Sequence, residues 1–139
     1  MCGDIEEDDA SALEQQLYAR FVIHARSLLA AHGRAKASAD PLLAYMDKLF
    51  ADALSRSLRD SEAAEEEQRY DVLAMQPLVF ARLAGFLAAH LSLHEDPLRK
   101  TIEALMLGYA EAETILPDHD HDHGHPHAHG HDHAHGHHH

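Results

Sequence analysis

Residues 77–94 read PLVFARLAGFLAAHLSLH. Apolar side chains fall nearly all round this run: Leu78, Val79, Phe80, Leu83, Phe86, Leu87 and Leu91. It is too long for a single strand, and its Ala and Leu content favours helix over sheet. Proline lacks the N–H that a helix interior needs, so Pro77 is expected at the start of this helix, which runs to about His94. A helix apolar on every side is normally buried, so this one is expected to be the central, most buried element.

Working outward, the same grammar recurs on both sides. Asp96-Pro97 places an aspartate cap before a proline at the first turn, where the missing N–H costs nothing. The helix it opens carries Leu98, Ile102, Leu105, Met106 and Tyr109 and stops near Pro117. Asp40-Pro41 opens another in the same way, with Leu42, Met46, Leu49, Phe50, Ala53 and Leu54 on its inner face. The two starts match in spacing, which generic helix grammar explains as well as duplication does. Ser11-Ala12-Leu13-Glu14 reads as a capping box for the first helix, with Leu13, Leu17, Phe21, His24 and Leu28 in step and Gly33 as a left-handed stop. Between Arg59 and Arg69 the chain is strongly charged, and Asp60-Ser61 reads as the cap of a separate third helix reaching about Ala74. Glu65, Glu66 and Glu67 diverge around a helix and read as a solvated face. Ala81, Gly85 and Ala89 on one helix, and Ala104, Gly108 and Ala112 on the next, are small residues four apart, along which those two helices are expected to pack.

The expected fold class is therefore all-α, a compact bundle of four to five helices over residues 11–117. An acidic leader, 1–10, is expected to stay loose, and a 22-residue tail, 118–139, lacks any apolar face and is expected to be disordered without metal. Val and Ile are scarce and Trp is absent from the 139 residues. Eleven Lys and Arg against 24 Asp and Glu give a net charge of −13. Such a surface repels phosphate backbones and attracts cations, which argues against nucleic acid as a partner. One cysteine, Cys2, excludes an internal disulfide and a four-cysteine zinc site. Were Met1 removed, the amine and thiolate of Cys2 would make a chelate, although a surface thiol is the plainer reading. The start of the chain has no basic-then-apolar signal, and the most apolar stretch, Leu78 to Leu93, is shorter than a membrane span and contains Arg82 and His90. A soluble cytoplasmic protein, with no membrane partner, is the expectation.

The chemistry is concentrated in the tail. His119, His121, His123, His125, His127, His129, His131, His133, His135 and His137 occupy every odd position, and His138 and His139 close the chain. In extended backbone, residues i and i+2 point to one side, so neighbouring imidazoles face one ion. With three or four ligands per ion, twelve histidines hold on the order of three or four ions in exchanging combinations. That suits capture, storage or transfer better than catalysis. Imidazole suits zinc, copper, nickel and cobalt; Asp118, Asp120, Asp122 and Asp132 add oxygen ligands, and mixed nitrogen and oxygen shells leave nickel or zinc as the implied ions. An affinity tag is normally a plain histidine run, unlike this alternation with Asp, Gly, Ala and Pro.

The tail resembles the histidine-rich segments of nickel and zinc accessory proteins, such as those serving hydrogenase, urease and carbon monoxide dehydrogenase maturation, and of some zinc transporters. The resemblance covers only 118–139 and implies metal handling. The Gly-rich nucleotide loop of the GTPase members is missing.

Four histidines lie in the body. His90 and His94 stand at the spacing by which a helix offers two imidazoles to one metal, although histidines at a helix C-terminus also serve as caps. His24 reads as a hydrogen-bonded core histidine that becomes a third ligand if its helix packs beside His90 and His94. His32, beside Gly33, reads as a cap. A hemerythrin-type di-iron bundle has a matching His-x-x-x-His helix, but its other histidine motifs are missing. No catalytic constellation can be assembled, so no enzyme is expected. The reading is a divalent-metal chaperone, storage or accessory protein whose body docks on a client protein or forms a homodimer. The alternative is a helical interaction or regulatory module whose tail is incidental, a tag remnant or a pH sensor.

Overall fold

The computed structural model describes residues 4–114, with side-chain surroundings from residue 7. The fold is all-α, with no strand among the described residues: α1 spans Asp4–Arg34, α2 Pro41–Ala63, α3 Arg69–Ala88 and α4 Pro97–Thr114. Short 3-10 turns at Glu66–Gln68 and Leu93–Glu95 join α2 to α3 and α3 to α4.

The aspartate-proline starts are where the sequence places them. Asp40 caps α2, its carboxylate accepting from the Leu42 N–H at 2.9 Å. Asp96 adopts a left-handed backbone (φ 48°) before Pro97, and its carboxylate receives the Arg99 Nε at 3.0 Å. Aspartate tolerates that conformation better than most side chains, which makes the sharp turn into α4 accessible.

Several boundaries differ from expectation. α1 begins at Asp4 rather than Ser11, so residues 4–10 of the acidic leader are helical. Acidic side chains in a first turn complement the positive end of the helix dipole, and this favours extension where apolar periodicity gives no hint of it. Gly33 lies inside α1, and no glycine among the described residues has positive φ. The separate helix expected from Asp60-Ser61 is the end of α2. Arg56 and Asp60 pair one turn apart at 3.3 Å, and the Ser61 hydroxyl donates back to the Leu58 carbonyl at 2.9 Å instead of capping a new helix. Pro77 stands inside α3. Its cost, about 3 kcal/mol in an isolated helix, is opposed by tertiary anchors on the segment before it. Gln76 donates to the Ser57 carbonyl of α2 at 3.1 Å, and Arg69 donates to the Ala64 carbonyl at 3.3 Å.

The core sits where α1, α2 and α3 meet, and it is small. Its buried members are Ala25, Ser57, Leu58, Ser61 and Ala88. Short side chains let the helix backbones approach, and the polar ones are satisfied: Ser61 donates to Leu58, so the Tyr18 hydroxyl, 3.3 Å away, donates to Ser61 Oγ. Arg26 and Glu62 clasp α1 to α2 at the surface at 2.6 Å.

The largest correction concerns α3. Far from being the most buried helix, it leaves Leu78 72% exposed, and Val79, Phe80, Leu83, Phe86 and Leu87 are also open. Apolar character all round a helix shows that it needs neighbours on every side, and α1 and α2 cover one side only. α4 adjoins α3. None of its residues is buried. Nor do the small-residue stripes meet as expected: a β-carbon placed on Gly85 or Gly108 would find no neighbour within 4 Å.

Candidate functional site

The twelve tail histidines, His119 to His139, and Cys2 lie outside the described residues. What the structure places is the body's contribution.

α3 ends at Ala88, and His90 follows in the turn while His94 falls in the 3-10 turn Leu93–Glu95. The single helix that was to carry both imidazoles therefore stops before either, so the helical one-turn spacing expected of His90 and His94 is absent. The break has a local cause. The Gly85, Leu87 and Ala88 carbonyls accept from the Ala89, His90 and Leu91 N–H groups, which passes over the Phe86 carbonyl, and the His90 ring takes the place of its missing N–H. His90 Nδ1 lies 2.8 Å from the Phe86 carbonyl, and the imidazole leans on the Phe86 ring with centroids 4.8 Å apart. A carbonyl only accepts, so the proton of this contact is on Nδ1. In the neutral ring the lone pair is then on Nε2, the arrangement in which a backbone carbonyl orients a metal-ligating histidine. His90 thus does the work of a C-terminal cap and keeps one nitrogen open to solvent. His94 is exposed beside Glu95 and Asp96, and the Asp96 carboxylate is already held by Arg99.

His24 lies in a groove of about 330 Å³ between α1 and α2 that the second half of α4 overhangs, lined also by Phe21, Leu28, Phe50, Leu54 and Glu111. It does not join His90 and His94: among the described residues no three His, Cys, Asp or Glu side chains are grouped so as to hold an ion. His32 packs its ring against Phe50 of α2 with centroids 5.3 Å apart, which ties the end of α1 to α2. Glu65, Glu66 and Glu67 are exposed, as a solvated face should be.

What the sequence reading misses is the outer apolar surface. Leu42, Met46 and Leu49 on α2, most of α3, and Leu98, Ile102, Leu105 and Tyr109 on α4 are all at least half exposed. Isolated exposed leucines are ordinary, but contiguous faces of this kind mark contact sites. The span Glu66–Ala88 is also long and apolar enough, by length and composition, to cross a membrane, which the shorter stretch Leu78 to Leu93 is not. It contains Arg69, Asp71 and Arg82, and its Gln76 is bonded to α2.

Comparison with known protein families, characterised proteins and solved structures gives no match.

Proposed function

We propose that this chain is a divalent transition-metal carrier, with nickel or zinc as cargo. The alternating imidazoles of residues 119–139 capture the ions, and the helical body attaches the loaded arm to a client protein. The observation that carries this reading is the tail itself: twelve histidines and four aspartates in 22 residues. The net charge of −13 supports it by drawing cations towards the chain. The apolar face left open on α2, with Leu42, Met46 and Leu49, supports a body that works in contact with another protein surface. An arm tethered to a docked body keeps its ions at high effective concentration near the recipient, which raises transfer without requiring a rigid site.

Labile binding follows from the ligand pattern. Many equivalent sets of three or four imidazoles compete for each ion, so an ion moves stepwise along the arm and out of it. Protons compete as well: below about pH 6.5 the imidazoles charge and release metal.

Equilibrium dialysis against nickel or zinc, with the full chain and with a chain ending at Pro117, tests the proposal. On the order of three or four ions per full chain and less than one per shortened chain is the expected result. Equal stoichiometry in the two would contradict it.

A further inference from the structure

We infer that the α3–α4 hairpin is the dimerisation surface of this protein, and that its occupant is the same hairpin of a second copy.

The argument begins with register. Val79, Leu83 and Phe86 of α3 stand at i, i+4 and i+7, which places them along one helix face. Leu98, Ile102, Leu105 and Tyr109 of α4 stand at i, i+4, i+7 and i+11, the spacing of a helix-packing seam. In the folded chain these seven side chains remain between 50% and 70% exposed. α3 and α4 adjoin each other across the Leu93–Glu95 turn, so the two seams belong to one consecutive pair of helices. Two helices cannot enclose a core between themselves, whereas two such pairs make a four-helix bundle, the smallest arrangement that covers all the seams.

The available area fits this occupant. At roughly 100 Å² of open apolar surface per side chain, the seven contribute about 700 Å² per copy, or about 1,400 Å² for the pair, which lies in the range of stable protein interfaces. Leu87 and Met106, beside the seams and more than half exposed, extend it further.

Self-complementarity points to a second copy. Each helix has large side chains next to small ones, and the open recess at Gly85 and Ala89, bordered by Leu93 and Leu98, gives a leucine of one copy a groove to enter on the other. Charges are sparse in the middle of these elements. Arg82 is the one charged side chain, histidine apart, between Met75 and Leu91, and Glu103 the one between Thr101 and Ala110. Glu103 pairs with Arg99 of its own helix at 3.2 Å, but that pair is exposed, so a two-fold interface, in which each contact occurs twice, can set Arg82 of each copy against the other's Glu103. The acidic excess lies elsewhere on the chain, so burying this hairpin desolvates few charges. A dimer would also put two histidine arms in one particle, but the inference does not depend on the arm binding metal.

Sedimentation equilibrium on the full chain, in EDTA so that metal cannot bridge the arms, tests this. The expected mass at micromolar concentration is twice the chain's 15.4 kDa. Leu83→Glu and Leu105→Glu are each expected to weaken association by roughly tenfold or more while far-ultraviolet circular dichroism stays helical. Ile23→Glu, exposed on α1, should leave the mass unchanged. Should a glutamate variant fail to fold, amide exchange on the unaltered chain decides: protection within residues 79–109 must rise with protein concentration. A monomer at every concentration, a dimer indifferent to both substitutions, or binding of the monomeric chain to lipid vesicles would overturn the inference.

Discussion

Two helical contacts in this molecule invert the usual expectation about side-chain size. Where α1, α2 and α3 meet, the buried residues are Ala25, Ser57, Leu58, Ser61 and Ala88, four of the five small. Along the seams Val79, Leu83 and Phe86 of α3 and Leu98, Ile102, Leu105 and Tyr109 of α4 the residues are large and apolar, and all of them are open. Burial here follows the number of neighbours and not the hydropathy of the residue. The junction is closed because short side chains and paired polar groups let three backbones come together. The hairpin is open because no other helix among the described residues lies on it.

Substitutions that treat the two regions alike should give unlike results. The largest effect is expected at the junction: Leu58→Ala removes the largest buried side chain and should cost about 2–4 kcal/mol, read by urea denaturation. Leu83→Ala, the same chemical change on the hairpin, should cost well under 1 kcal/mol in dilute protein and more as concentration rises, because its burial comes from a second copy. Equal costs for the two leucines at all concentrations would break the comparison. Smaller again is the cap of α2, where Asp40→Ala leaves the Leu42 N–H without its acceptor and should cost about 1 kcal/mol independently of concentration.

The smallest effect lies on the solvated side of α2. The Lys48 ammonium hydrogen bonds to Asp52 at 2.8 Å, and that bond, then the carboxylate's charge, raises its pKa above the ordinary 10.5 while slight desolvation works the other way. A raised folded-state pKa gives stability that is fully present below 10.5 and lost as pH rises through the folded value. Both groups are exposed, so the loss should be slight and screened by salt. Denaturation curves on either side of that pH should show it in the native chain and lack it in Asp52→Asn.

What was legible in the sequence was local. Asp40-Pro41 and Asp96-Pro97 announce helix starts because the cap, the missing N–H and the first turn lie within a few residues of one another. The all-α class follows from the Ala and Leu content for the same reason. Pro77 misled because its local cost is outweighed by contacts from α2 that no window of sequence contains. Asp60-Ser61 misled because a serine hydroxyl can bond backwards inside a helix as readily as it can cap a new one. Burial was the least legible property: the pattern from Leu78 to Leu91 says that the helix wants to be covered, without saying what covers it. Of the candidate site, the histidine alternation of residues 119–139 can be read at sight, and the metal binding proposed for it rests on that composition. The role of His90 depended on where α3 stops, which the open carbonyl of Phe86 and its ring decide together.

The proposed division of labour between a helical body and a metal-binding arm is tested most directly by following the amide resonances of the full chain during a zinc titration. The account predicts that signals from residues 118–139 shift from the first addition while those of 4–114 keep their positions, His24, His90 and His94 included. Early shifts confined to the body histidines, with the arm unaffected until they saturate, would contradict it.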